Sequence, residues 1–369
     1  MKIISFYLPQ YHEIAENNEW WGKGFTEWDN LRKAKPLFKN HNQPIIPYEN
    51  NYYNLLDNYV KKWQIKLAKD NGVYGFCFYH YWFNGHLLLE KPTQQFLQNK
   101  DLDIPFCLSW ANEPWTKAWV SKSDQILIDQ EYGSEKEWKE HFDYVAPYLL
   151  DDRYIKNEGK PIFVIYRPNQ IECLNDMIDS WQRWAKDIGL PGIDFAYQQI
   201  DLDLVENSDI SRFTYNIEFQ PIYALEDLTS KKSKKVEVIA KSIDNFIDKI
   251  LGFKPSNILM RKVRTYKYDD VWQKVLTRKP KDEKAVPGVF VDWDNTPRRG
   301  EKGRVFLGGN PDKFKKYIKE MIIKTRDEYK KDMIFLTAWN EWSEGCYLET
   351  NIYNQLPPLP HVYPQHDYE

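Results

Sequence analysis

Eight short apolar runs, separated by polar stretches, constrain the fold of this chain more than any other feature. The runs have the length of strands and stay apolar at consecutive positions, as strands do when both faces of their sheet are buried. They occupy residues 3–8, 73–79, 104–110, 160–166, 194–197, 213–217, 286–293 and 334–339. Apolar residues recur at helical spacing between several of these runs, at 56–69, 138–150, 176–188, 239–251 and 311–329.

This alternation predicts an α/β fold with a parallel sheet. Eight such units close naturally into a (β/α)8 TIM barrel, so we expect a single barrel with long loops at its strand ends. A doubly wound open sheet is the alternative, but no glycine-rich phosphate loop follows the first run. We expect the barrel to span residues 1–355 and a tail to follow at 356–369.

Charge and hydropathy argue against several classes of partner. The chain has 51 basic and 54 acidic residues, a formal net charge of −3, so its overall charge does not favour nucleic acid or an anionic membrane. No apolar run approaches the roughly 20 residues of a membrane helix, and the chain starts with a strand pattern rather than a secretory signal. We expect a cytoplasmic protein without a membrane span or a nucleic-acid partner.

The four cysteines are Cys77, Cys107, Cys173 and Cys346. They show no Cys-x-x-Cys spacing, and two of them lie inside strand-like runs. We therefore expect reduced core residues rather than a disulfide framework or a zinc site. We expect no metal and no cofactor.

Aromatic residues are unusually frequent, with 15 Trp and 25 Tyr. Several stand beside Asn, Asp, Glu or His. Aromatic rings with polar neighbours suit sugars, because a ring packs against the C–H face of a sugar while carboxylates and amides bind its hydroxyls. The alternative is that these rings only fill the core of a large barrel.

The last apolar run leads into the sequence FLTAWNEWSEG at 335–345. It places two carboxylates, Glu341 and Glu344, just beyond the end of a buried strand. Cleaving or forming a glycosidic bond requires one carboxyl that donates a proton and a second, ionised one, and nearby like charges separate their pKa values. These two are our candidate catalytic residues. The alternative is that Glu341 caps the following turn and Glu344 is solvated.

Polar and aromatic residues also follow most of the other predicted strands. Catalytic and binding groups of a barrel come from the C-terminal ends of its strands, so we predict a sugar-binding site there. The candidate binding residues are Tyr7, His12, Trp28, His80, Tyr81, Trp110, Asn112, Glu113, Trp115, Arg167, Asp292, Asp294, Asn340 and Trp342.

Three of these assignments have alternatives. Glu113, in an Asn-Glu-Pro sequence, is either a sugar ligand or the catalytic partner of Glu341; by our count it follows the third strand. His80 either positions a hydroxyl or is a buried histidine. Asp292 and Asp294 face the same way if their strand continues. The favoured interpretation is that they bind sugar hydroxyls; the alternatives are that they are surface charges or, least favoured, that they bind a metal.

Six segments together resemble one family. They are FYLPQYH at 6–12, EWWGKGFTEW at 19–28, KAKPLF at 33–38, GFCFYHYWF at 75–83, WANEPW at 110–115 and WNEWSEG at 339–345. Over residues 1–349 the chain resembles the WbsX-type domain. That domain is described both as a glycosyltransferase of polysaccharide biosynthesis and as glycoside hydrolase family 99-like.

The similarity to family 99 itself lies in NEWSEG at 340–345. It implies a retaining enzyme acting on α-linked glycans, in which Glu341 deprotonates the 2-hydroxyl of the sugar to form a 1,2-anhydro sugar. Glu344 then protonates the leaving oxygen and afterwards activates water. Ser343 stands where family 99 usually has His. The principal hypothesis is therefore a family 99-like glycoside hydrolase, the second a glycosyltransferase, and the third a glycan-binding barrel without catalysis.

Overall fold

All eight predicted strands are present in the computed structural model, which describes residues 1–116, 126–200, 210–228 and 263–351. The seventh strand consists of two pieces on either side of Pro287. The barrel strands are β1 (Lys2–Tyr7), β2 (Gly75–Phe83), β3 (Phe106–Trp110), β4 (Lys160–Ile165), β5 (Asp194–Gln199), β6 (Tyr215–Glu218), β7 (Ala285–Val286 and Gly288–Phe290) and β8 (Met333–Thr337).

Each barrel strand pairs in parallel with its neighbours in chain order. The first piece of β7 pairs with β6 and the second with β8, and β8 pairs with β1. The two pieces of β7 thus join the ends of the sheet. The predicted TIM barrel is confirmed, and the open doubly wound sheet is excluded because the last strand, β8, pairs with the first and β7 links β8 to β6, so the sheet closes into a ring.

A glycine permits the close approach of β6 and β7. A Cβ atom on Gly288 would lie 1.8 Å from the carbonyl oxygen of Glu218. Any other residue at this position would push the two strands apart.

Four of the five predicted helices lie in the described residues, and each begins and ends within a few residues of its predicted bounds. The helix Asn58–Asp70 starts after Asp57, whose carboxylate accepts a hydrogen bond from the N–H of Tyr59. The last helix ends at Lys324, and a wider turn, Thr325–Tyr329, completes the predicted segment. The α-helices of the described residues are α1 (Ala15–Trp21), α2 (Glu27–Lys33), α3 (Asn58–Asp70), α4 (Lys91–Gln98), α5 (Glu135–Leu150), α6 (Leu174–Asp187), α7 (Ile222–Leu228), α8 (Tyr268–Thr277), α9 (Thr296–Arg299) and α10 (Pro311–Lys324).

The loops contain short strands and single helical turns. The strands are His86–Leu88, Trp115–Thr116, Ile126–Ile128, Lys156–Asn157, Arg264–Lys267, Arg304–Leu307, Asn340–Glu341 and Cys346–Tyr347. The turns are Tyr48–Asn50, Pro168–Gln170, Gly300–Lys302 and Trp342–Glu344.

The core lies between the barrel and its ring of helices. Trp181 of α6 packs against Phe163 of β4, and Trp272 of α8 stacks on Phe290 of β7. All four cysteines are free, and three of them are buried.

Some predictions fall outside the described residues, namely the helix at 239–251, the boundary at 355 and the tail at 356–369. Among the helices that are described, none combines the length and the apolar character needed to span a membrane.

Candidate active site

A cavity of about 530 Å³ opens at the C-terminal ends of the barrel strands. Five of the residues that line it directly follow a barrel strand. They are Leu8 after β1, Ala111 after β3, Tyr166 after β4, Ile200 after β5 and Phe219 after β6. Glu341 and Glu344, beyond β8, line the same cavity.

The segment after β8 is held in place by Asn340. Its side-chain oxygen accepts the N–H of Leu8 at 2.7 Å, and its side-chain nitrogen donates to the carbonyl oxygen of Leu8 at 3.0 Å. The hydroxyl of Tyr11 donates to the carbonyl oxygen of Asn340. These bonds attach the start of the motif to the end of β1, so the position of Glu341 is set by the barrel itself.

A tight turn then brings Glu344 to the same side as Glu341. One helical turn, Trp342–Glu344, is followed by Gly345 in the left-handed region with φ 63°. A Cβ atom on Gly345 would lie 2.6 Å from the backbone nitrogen of Asp294, and that nitrogen donates to the carbonyl oxygen of Glu344. Buried Ser343 donates to the carbonyl oxygen of Glu27, which ties the turn to α2.

One arginine binds three carboxylates at this turn. Arg298, at the end of α9, places Nη2 3.1 Å from Glu341 and Nη1 2.7 Å from Glu344. Its Nε lies 2.6 Å from the carboxylate of Glu27, at the start of α2. The Arg298 side chain is 9% exposed and those of its three partners between 4% and 18%, so the cluster is largely shielded from water.

The environment perturbs the charges of this cluster. Burial, reinforced by the negative charges of Glu344 and Glu27, raises the pKa of Glu341 to about 8, although the positive charge of Arg298 opposes the change. Burial works against the charge of Arg298, but its three carboxylates outweigh that effect and hold the pKa of the guanidinium above its ordinary value. Glu341 can therefore hold or release a proton close to neutral pH, as acid–base chemistry requires.

A second ion pair lines the opposite wall. Arg167 Nε lies 2.6 Å from the carboxylate of Glu113, and its guanidinium lies 3.5 Å from the ring centre of Tyr166. Asn112 positions this arginine through two hydrogen bonds with its backbone, each 2.8 Å long. Glu113 follows β3, which confirms the strand count that separates it from Glu341 after β8.

The predicted site residues fall into three groups. Six line the cavity: Tyr81, Glu113, Trp115, Arg167, Glu341 and Glu344. Asn112 and Asn340 lie behind the cavity wall and position its residues.

The remaining predicted residues do not line this cavity. Four of them make buried contacts. The hydroxyl of Tyr7 is hydrogen-bonded to Gln64, and the ring of His80 is hydrogen-bonded to His141. The indole of Trp28 packs on Trp342 and donates to the carbonyl oxygen of Tyr53, and the indole of Trp110 donates to the carbonyl oxygen of Trp82. The indole of Trp342 bonds Glu349, and His12 is buried.

Asp292 and Asp294 line a separate cavity of about 340 Å³. Their strand ends at Phe290, so the alternation that would turn both towards the barrel mouth does not extend to them. Asp294 accepts hydrogen bonds from His41, Gln43 and Thr296 and so has a structural role. Within the described ranges, no group of three or more His, Cys, Asp or Glu residues is placed to hold a metal ion.

Sequence reasoning did not select Arg298 and Glu27 as site residues. Both had weak signals: Arg298 follows the seventh strand, and Glu27 lies in the long polar loop after the first. Neither signal indicates that the two meet, because they are 271 residues apart in the chain.

Known structures share the fold of this chain. The structure is similar to the GH99 endo-α-mannosidase from Bacteroides thetaiotaomicron, with a TM-score of 0.50 and 14% identity over 98% of this chain and 92% of that one. It is also similar to a glycoside hydrolase-like protein, with a TM-score of 0.52 and 11% identity over 95% and 87% of the two chains. At these identities the likeness concerns the fold.

Sequence comparison gives the family. The chain is 33% identical over 351 residues to the uncharacterized protein WxcX of Xanthomonas campestris pv. campestris, covering 94% of this chain and 47% of that protein. A second strain's WxcX is 32% identical over the same lengths, so the chain spans about half the length of the curated relatives it matches. The family model described as glycosyltransferase WbsX matches residues 3–356. The chain therefore belongs to the family described as glycosyltransferase WbsX, and its barrel has the fold of the GH99 endo-α-mannosidase.

Proposed function

We propose that this protein is a retaining glycoside hydrolase that cleaves α-linked glycans, with Glu341 and Glu344 as its catalytic residues. One observation carries the proposal. Two carboxylates on one turn line the cavity at the C-terminal ends of the barrel strands and share the guanidinium of Arg298. The two carboxylates stay close because they are only three residues apart in the chain, and burial raises the pKa of Glu341.

The proposed reaction uses the 2-hydroxyl of the substrate as its nucleophile. Glu341 accepts the proton of this hydroxyl, and the oxygen attacks the anomeric carbon while Glu344 donates a proton to the departing oxygen. The 1,2-anhydro sugar is then opened by water, from which Glu344 takes a proton, while Glu341 returns its proton to the 2-oxygen. The raised pKa makes ionised Glu341 a stronger base than an ordinary carboxylate.

The other lining residues would bind the sugar. Tyr81, Trp115 and the Glu113–Arg167 pair present rings, a carboxylate and a guanidinium to the cavity. Aromatic faces pack on sugar C–H groups, whereas the charged groups bind hydroxyls.

Glu341→Gln and Glu344→Gln test this assignment. Each variant keeps the shape of its side chain but can no longer transfer the proton. For an α-linked oligosaccharide that the wild-type protein cleaves, we expect kcat to fall by at least about 10³-fold in each variant. The affinity for the glycan should stay within about tenfold of wild type. Glu113→Gln is the matched control, and it should retain far more activity. Near wild-type turnover in both motif variants would contradict the proposal, and activity lost only in Glu113→Gln would move the catalytic role to the opposite wall.

The family description favours a second candidate, a glycosyltransferase. Such an enzyme would use the same cavity to transfer a sugar from a nucleotide donor. Calorimetry with UDP-, GDP- and dTDP-sugars distinguishes the two, because binding of one of them with transfer to an acceptor would favour the transferase. Binding of glycans without turnover or transfer would instead indicate a glycan-binding barrel.

A further inference from the structure

The cavity has an uneven distribution of charge. Its lining includes four carboxylates, those of Glu27, Glu113, Glu341 and Glu344. Each of them is within 3.1 Å of an arginine nitrogen: Arg167 binds Glu113, and Arg298 binds the other three. Every carboxylate among the described lining residues is thus paired with one of two arginines.

Among the described residues, the other cations of the lining all come from one short stretch. These are Arg299, Lys302 and Arg304, of which Lys302 is exposed and Arg304 half-buried. Within 1–116, 126–200, 210–228 and 263–351, Lys302 and Arg304 form no ion pair with a carboxylate. Their charges therefore remain available to a ligand in the cavity.

The backbone of this stretch is fixed beside the site. Lys302 lies in the helical turn Gly300–Lys302, which directly follows the helix that carries Arg298. The N–H of Arg304 donates to the side-chain oxygen of Asn295 at 2.8 Å, and the N–H of Asn295 donates to the carbonyl oxygen of Arg304 at 3.2 Å. Asn295 itself lines the cavity. The two cations thus belong to the cavity wall.

We infer that the glycan bound in this cavity carries an anionic group, a carboxylate or a phosphate, which binds Lys302 and Arg304. This inference rests on the proposed function, because it defines the substrate class of the same site. A neutral glycan needs hydroxyl ligands but not an excess of cations. An anionic group would form charge-assisted hydrogen bonds to both side chains, and these are stronger than neutral ones.

Binding measurements with the Glu344→Gln protein, in which turnover is suppressed, test the inference. An array of α-linked gluco-, galacto-, manno- and N-acetylhexosamine oligosaccharides would be probed in neutral, uronic acid and phosphate monoester forms. Calorimetry would then give the Kd of each matched set. We expect an acidic form to bind at least about tenfold more tightly than its neutral counterpart. The form that is preferred identifies the anion as carboxylate or phosphate.

Charge-removing variants provide the controls. The pair Lys302→Gln and Arg304→Gln should lose the preference for the acidic form, whereas Lys302→Arg with Arg304→Lys should keep it. Lys319→Gln, an exposed lysine on α10 outside the cavity lining, should leave the preference unchanged.

Three results would overturn the inference. If neutral and acidic forms bind equally well, the glycan is not selected by its charge, and the proposed hydrolase is unaffected. If inorganic phosphate alone binds as tightly as the phosphorylated glycan, the cations form a simple ion site. If no glycan of either kind binds and none is cleaved by the wild-type protein, the proposed function fails together with the inference.

Discussion

At the scale of single residues, Arg298 is the centre of the candidate site. Its planar guanidinium offers donors in a fixed fork, which allows it to bind three carboxylates from two different segments. Without it, three largely buried carboxyl groups would face one another with no positive charge between them. The arginine therefore both holds the geometry of Glu341 and Glu344 and permits them to be buried.

Replacing Arg298 with alanine should be strongly destabilising. Removing one partner of a buried ion cluster leaves uncompensated charge, which typically costs about 3–5 kcal/mol of unfolding free energy. Urea denaturation at neutral pH measures the change. The matched control is Arg183→Ala, because Arg183 and Glu135 are 60% and 63% exposed and such pairs contribute about 1 kcal/mol or less. Equal losses in the two variants would show that the cluster does not stabilise the fold.

The raised pKa of Glu341 predicts the pH dependence of activity. A catalytic base works only when ionised, and the pKa of Glu341 is raised to about 8. The kcat/KM should therefore rise with pH through about 8 as Glu341 ionises, since this parameter reports ionisations of the free enzyme. Lysine carries the same unit charge as arginine but lacks its forked donors, so in Arg298→Lys the interaction that opposes the raised pKa of Glu341 should weaken. The rising limb should then move to higher pH, whereas Lys319→Gln should leave it in place. A wild-type profile that falls as the pH rises through 8 would assign Glu341 the role of proton donor.

At the scale of elements, strand positions followed from local sequence more closely than side-chain directions did. A run of apolar residues such as 160–166 is by itself a signature of a buried strand. At the end of a strand, however, successive side chains point to opposite faces. Tyr81 reaches the cavity, while His80 beside it bonds His141 on α5. The sequence placed both at the barrel rim but could not choose between the two faces.

The junction of β6 and β7 predicts the effect of a single methyl group. In Gly288→Ala the new Cβ would meet the carbonyl oxygen of Glu218 at 1.8 Å, so the barrel could close only with displaced strands. We expect a loss of about 3 kcal/mol or more of unfolding free energy in urea denaturation. Gly189→Ala is the control, since its Cβ meets nothing within 4 Å and only the φ of 90° is strained, which costs about 1 kcal/mol. A smaller loss in Gly288→Ala than in the control would contradict this account of closure.

At the scale of the whole molecule, a buried histidine pair links stability to pH. Nε2 of His80 lies 2.9 Å from Nε2 of His141. Burial lowers the pKa of His80 to about 3, and burial together with the charge of His80 lowers the pKa of His141. Between pH 3 and 6.5 the unfolded chain binds protons that the folded protein excludes. Stability therefore falls as the pH is lowered below about 6.5.

We expect each histidine to contribute up to about 1.4 kcal/mol of lost unfolding free energy per pH unit in that range. Urea denaturation between pH 7 and 5 measures the slope. His80→Gln should flatten it by up to the share of one proton. An unchanged slope in His80→Gln would mean that His80 takes up a proton in the folded protein as readily as in the unfolded chain.

The sequence by itself determined the number and order of the strands, the parallel barrel, and the location of Glu341 and Glu344 at its rim. These features depend on apolar runs and on neighbours within a few residues, where chain connectivity restricts the geometry. Only the tertiary structure decided which rim side chains enter the cavity, and that Arg298 joins Glu341 and Glu344 to Glu27. Those contacts join residues up to 271 positions apart, and only the closure of the barrel brings them within hydrogen-bond distance.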